Sequence, residues 1–305
     1  MKIREIATGL HFPEGPIAMD DGSILLVEIA GGTLTRVTPE GKIQRIVELG
    51  GGPNGAALAP DGSIIVCNNG GLQFTTLDDG TLRPGHEPAD YSGGRIERVD
   101  LTTNRVERLF DKVEGERLKG PNDLVFDGQG GFYFTDLGKA RPHNLDWGGV
   151  FYVPEVGAQP RIIAYPVMTA NGVALSPDGA TLYYAETEGA RVWAFDIESP
   201  GCVRREPWPS VQGGRLVAAP GGQYQRFDSM AVDALGNLYV ATLLHGGITI
   251  ISPDGLIRRH LPLPDRYPTN ICFGGPDMRT LYVTLSGSGR LIAIDNWPIP
   301  GLPLN

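Results

Sequence analysis

Short apolar runs alternate with polar positions at a period near two along almost the whole chain, and Gly- and Pro-bearing turns separate them. No stretch shows the 3.6-residue period of an amphipathic helix. One unit recurs: a polar residue, a short apolar run, a tight turn, then a second alternating run. It is clearest in residues 170–186, ANGVALSPDGATLYYAE. Pro presets φ for a turn there, and Gly accepts the positive φ that other residues resist. The unit opens six times, at Glu14, Asn54, Asn122, Asn171, Asp228 and Asn270, at intervals of 40 to 68 residues. Strand-turn-strand repeats of roughly 40–50 residues mark a β-propeller, one repeat per blade. The expectation is an all-β, six-bladed β-propeller filling residues 1–305 as one domain, a length that closed β architectures commonly reach.

A propeller must close its ring. Residues 2–8, KIREIAT, alternate weakly and precede the first repeat, so they are expected to supply the outer strand of the sixth blade and remove two free edges. Residues 70–95 are rich in Gly, Pro and Asp and read as a lid over one mouth of the ring or as a peripheral excursion. Residues 137–148, with Arg141, His143, Asp146 and Trp147, form a second loop, and the Gly-rich 213–227 leads into blade five.

Composition narrows the partners. A net charge of −9 argues against the basic surface that nucleic acid or an anionic membrane patch requires. No apolar run approaches the ~20 residues of a membrane helix, and the N-terminus carries no apolar signal core. Cys67, Cys202 and Cys272 are odd in number and far apart, which fits a reducing, cytoplasmic setting without a structural zinc site.

The opening residues carry the candidate chemistry. They hold one phase in six blades, so all six are expected to converge at one end of the central channel. Two are carboxylates, the rest offer amide oxygens, and none is His or Cys. Such a set suits one hard divalent cation, Ca²⁺ above all, with Zn²⁺, Mn²⁺, Mg²⁺ or Fe²⁺ as alternatives. Without an ion the carboxylates would repel and one pKa would rise. The bland alternative is that Asn54-Gly55 and Asn171-Gly172 are ordinary turn dipeptides.

The chain resembles the senescence marker protein/gluconolactonase family of six-bladed, calcium-dependent lactonases. The resemblance rests on Phe12-Pro13-Glu14-Gly15-Pro16, on Pro121-Asn122-Asp123-Leu124, on residues 170–179 (ANGVALSPDG), and on Asp228-Ser229-Met230. It implies Glu14, Asn171 and Asp228 as metal ligands, with Asn122 binding metal, substrate or water. The related diisopropyl-fluorophosphatase shares this four-residue set. Two features depart from the sugar lactonases: Gly120 stands where they place an Arg two residues before the third-blade Asn, and their added carboxylate is not evident near Ala140. A less polar lactone or ester is therefore expected as the small-molecule substrate. Asp228 is read as ligand and base (or nucleophile), with Asn122 assisting, and Glu14 as a structural ligand. Substrate contacts are expected from His11, Arg226, Asn54 and Asn270; Arg226 has a plain surface ion pair as its alternative.

Other residues read more plainly. His245 lies past a blade-five strand whose far end is expected to point away from the openers. Asn69 and Asp136 read as turn caps. Tyr91, Trp147, Tyr224 and Phe227 are candidates for an apolar pocket wall. Two rival functions remain at this point: a phosphoesterase of the fluorophosphatase type, and a non-catalytic interaction propeller of the NHL-repeat kind.

Overall fold

A computed structural model describes residues 2–303. Every regular element among them is a β-strand, and no helix is long and apolar enough to cross a membrane. Six antiparallel sheets form six blades. Their innermost strands are Pro13–Ala18, Pro53–Leu58, Pro121–Phe126, Ala170–Leu175, Arg226–Val232 and Pro268–Gly274. These contact one another in chain order, and the last returns to the first, so the ring closes.

Closure falls where the sequence places it. Ile3–Thr8 pairs antiparallel with Arg290–Ile294 and forms the outer edge of blade six. Ala7 is buried beside Leu291, Leu26 and Val37, and Arg4 pairs with Asp295 at 2.9 Å. The first strand and the last are thus held in one sheet.

The blades stack through their alternating faces. Val27, Val66, Phe134, Tyr184, Val240 and Val283 are buried on middle strands and pack toward one neighbouring blade, while the residues beside them in sequence face the other. The Gly-rich stretch before blade five contributes an element that the sequence did not suggest: Arg215–Ala218 pairs with Arg191–Ser199 and so extends blade four. It shares that outer edge with Cys202–Arg204.

The excursion over residues 70–95 covers the mouth of the channel. It folds into a small hairpin, Phe74–Thr76 with Leu82–Pro84. Leu82 N donates to Gly287 O at 2.8 Å, and the Phe74 ring meets Phe12 at 5.0 Å between centroids. The hairpin therefore runs from blade two across to blades six and one.

Candidate active site

Beneath that hairpin lies a cavity of about 160 Å³. Glu14, Asn54, Asn122, Asn171 and Asp228 all line it, and all are buried. The backbone explains why five blades deliver their openers to one place. In blades two to five the pairing register skips across the opener, as between Ala170 and Val173 or Phe227 and Met230. A bulge of this kind re-aims a side chain out of the normal alternation. In blade one the skip follows directly after Glu14. In blade six it falls between Pro268 and Asn270, and Thr269 lines the cavity in place of Asn270.

The turn reading of the Asn-Gly pairs does not hold. Both pairs lie inside strands. A Cβ on Gly55 would sit 2.4 Å from the Asn122 carbonyl oxygen, and one on Gly172 would sit 2.6 Å from that of Asp228. These glycines let adjacent inner strands meet backbone to backbone, which narrows the channel and draws the openers together.

The charge arrangement is costly as it stands. Burial, reinforced by the Asp228 and Asp123 charges, pushes the Glu14 carboxyl well above its usual range. Burial likewise lifts Asp228 to about 7, partly offset by a hydrogen bond from Asn171. Asp123, adjacent to the third-blade opener, is also raised to about 7 by burial. Glu14 is held by Gly15 N and by Asn270 Nδ2, each donating to Oε2 at 2.7 Å. Asn171 Nδ2 donates to Thr187 Oγ1 at 2.9 Å, which fixes the amide. Its Oδ1 is buried without a partner, and so is Oδ1 of Asn122.

Buried polar atoms are almost always paired, so two orphaned oxygens in one cavity ask for a ligand. Two bare amide oxygens beside two carboxylates form the donor set of a hard divalent cation. No trio of Asp, Glu, His or Cys side chains among the described residues forms a candidate metal cluster. Any ion here would need the amides as much as the carboxylates.

The remaining expected residues separate. Arg226 lines the cavity and lies 2.9 Å from Glu188 across its rim. His11 is exposed and is not part of the cavity lining; its backbone N–H donates to Glu28. Asn270 serves Glu14 as described. His245 lies at the opener end of blade five, contrary to the expected direction, because the antiparallel hairpin brings Leu243 back opposite Arg226. Its exposed ring lies tilted against that of His260, 4.1 Å between centroids. Asp136 is a cap, accepting from Lys119 N, Gly120 N and Gly138 N at 2.7–2.8 Å. Asn69 caps Gly71 N and also lines the cavity.

None of the four aromatics forms the wall. Trp147 and Tyr224 are exposed, Phe227 is in the core, and Tyr91 O–H donates to Lys119 O. The apolar lining includes Phe12, Ile29, Leu72, Leu137, Leu243 and Tyr267. These residues flank blade openings or lie in the 70–95 excursion and the blade-three turn, positions that only closure of the ring brings together.

Sequence reasoning missed Lys139. It lines the cavity, is 2% exposed, and donates from Nζ to Gly71 O at 2.6 Å and Asn69 Oδ1 at 3.2 Å. It sits in the turn after Asp136 that packs on Gly120. Leu137 N donates to Gly120 O at 2.9 Å, and a Cβ at Gly120 would meet Gly138 O at 2.4 Å. Gly120 therefore leaves room for the turn that carries Lys139. A lone charged residue in a Gly-bearing turn after a capped strand was the available signal.

Ring, bulged openers and mixed oxygen set define a six-bladed propeller with a candidate cation site at one mouth. Residues 12–287 match the family described as the SMP-30/gluconolactonase/LRE-like region, and the chain belongs to that family. It is similar to a 6-deoxy-6-sulfogluconolactonase of Pseudomonas putida, 31% identical over 196 residues covering 64% of each chain. It is also similar to a gluconolactonase of Zymomonas mobilis subsp. mobilis, 28% identical over 93% of this chain and 79% of that one. Among solved structures, the calcium-binding protein regucalcin of Agrobacterium tumefaciens superposes with a TM-score of 0.74 at 16% identity, covering 99% of this chain and 97% of that one. That last likeness is one of fold.

Proposed function

We propose that this chain is a hydrolase that opens a lactone, or a related cyclic ester, using one divalent cation, Ca²⁺ foremost. The observation that carries the reading is the pair of orphaned amide oxygens, Asn122 Oδ1 and Asn171 Oδ1, beside the buried Glu14 and Asp228 carboxylates. Lactonase relatives support the substrate class.

Glu14, Asn122, Asn171 and Asp228 would hold the ion. When bound, it supplies a Lewis acid that polarises the substrate carbonyl and neutralises the paired carboxylates. Asp228 accepts the proton of the attacking water and returns it to the ring oxygen as the acyl C–O bond breaks. Burial favours this role by raising its proton affinity. Phe12, Leu72, Leu243 and Tyr267 hold the apolar part of the ring and keep bulk water out. Asn270 and Gly15 keep Glu14 in place. Arg226, paired with Glu188 at the rim, is placed to meet a polar substituent.

The same reading makes residues 1–305 one domain acting on a small molecule, with neither nucleic acid nor membrane as partner, in the cytoplasm. Three free cysteines and a net charge of −9 support that setting.

The test is a hydrolysis assay on chelator-stripped protein. Ca²⁺, Mg²⁺, Mn²⁺ or Zn²⁺ is restored singly against γ- and δ-lactones and against phosphotriesters. Lactone turnover that returns with one metal supports the proposal; turnover of phosphotriesters alone transfers the site to the phosphoesterase reading.

A further inference from the structure

Lys139 is a buried cation with no carboxylate among the described residues in direct contact; Asp136, Glu87 and Asp146 act on it only through space. Both acceptors of its Nζ are neutral oxygens, Gly71 O and Asn69 Oδ1. Each of these three carboxylates makes its direct contacts with other groups. Asp136 accepts three backbone N–H groups. Glu87 and Asp146 both bind Arg141, at 2.7 and 3.0 Å. No ion pair to Lys139 is formed among the described residues, and the face of Tyr91, at 5.2 Å, is the only aromatic ring over it. An ammonium has three donors, and two are used. Removing such a charge from water is unfavourable unless an anion or further hydrogen bonds compensate it.

Its position supplies the rest. Lys139 is on the wall of the same cavity as Asp228 and Asn171, beside Gly120, Leu137 and Leu145. Among the described residues, the one other cation lining that cavity, Arg226, already has Glu188. We propose that Lys139 is a specificity-determining residue and that the preferred substrate carries an anionic substituent, a carboxylate, sulfonate or phosphate, that completes the ion pair in the bound state. This rests on the lactonase reading and replaces the expectation of a less polar substrate with an amphiphilic one, anionic at the Lys139 wall and apolar where Phe12 and Tyr267 face the ring.

The experiment compares γ-hexalactone with its analogue in which a carboxymethyl group replaces the ethyl group, in the metal-loaded full-length protein. Wild type is expected to prefer the anionic lactone by about tenfold in kcat/KM, through KM. Lys139→Met should erase that preference, raising KM for the anionic lactone about tenfold while changing kcat for γ-hexalactone less than about threefold. Lys139→Gln serves as the second variant. Calorimetry with the two ring-opened acids gives a readout independent of turnover, and the dianion should bind wild type about tenfold more tightly than the monoanion. Loss of both lactones in equal measure would make Lys139 a strut of the pocket and overturn the proposal. So would equal affinity of wild type for the two acids, or a preference that survives in Lys139→Met. Binding that favours the dianion with no lactone opened would leave Lys139's role standing and sink the lactonase reading instead.

Discussion

Asn270 Nδ2 donates to Glu14 Oε2 at 2.7 Å, so the opener of the last blade anchors the opener of the first. Asn270 itself does not line the cavity; Thr269 does. The phase of the repeat places Asn270 with the other openers. A one-residue difference in where the strand bulges turns it into a positioning residue. Asn270→Leu would remove one of two donors that fix Glu14 while keeping the fold. Metal affinity should fall about tenfold to a hundredfold, the usual effect of losing a partner behind a ligand. Calorimetric titration measures it, and an unchanged affinity would show that Glu14 needs no such support.

The buried carboxylates set a pH dependence whose sign is opposite in the stripped and loaded protein. Asp123 and Asp228 hold protons to about 7 in the metal-free fold, against an ordinary 3.8. Between those values the folded chain binds more protons than the unfolded chain, so these groups make stability fall as pH rises. Carboxylates held low by Arg or Ser partners, such as Asp61 and Asp295, titrate below this window. A bound cation favours the ionised forms. The gain in Tm on adding Ca²⁺ to stripped protein should therefore be larger near pH 8 than near about pH 5.5. A gain that ignores pH would place the ion away from these groups.

Ring closure through Ile3–Thr8 predicts a large penalty for truncation. Removing residues 2–8 exposes the edge of Arg290–Ile294 and uncovers Leu291 and Leu26. Tm should drop by roughly 10 °C or more. Differential scanning calorimetry decides it, and a drop of a degree or two would mean that blade six is stable with three strands.

Much of this architecture was legible in the sequence because it is carried by periodicity. Period-two runs with turns at blade spacing gave six blades, and the terminal strand was readable because a closed ring needs one. The openers were readable as a phase, and an upward carboxylate shift was expected from like charges in one channel, although burial is its larger cause. What escaped depended on register and on contacts between distant loops. Asn270 and Thr269 differ by one bulge. Arg215–Ala218 joined blade four along Val192–Ala194, the part of that edge which Cys202–Arg204 leaves open. Lys139 reached the cavity only through the packing of its turn on Gly120. Trp147 and Tyr224 were candidates for a pocket wall by chemistry alone, and neither strand alternation nor turn signals fix which way a loop aromatic points.

The most direct test of the central claim is calorimetric titration of chelator-stripped protein with Ca²⁺, in parallel with Asp228→Asn and Asn171→Leu. The expected result is one ion per chain for wild type, with protons released on binding near neutral pH as Glu14 and Asp228 ionise, and a loss of about a hundredfold or more in affinity in each variant. Absence of binding in wild type, or binding that both variants retain unchanged, would contradict a cation held by these converging openers.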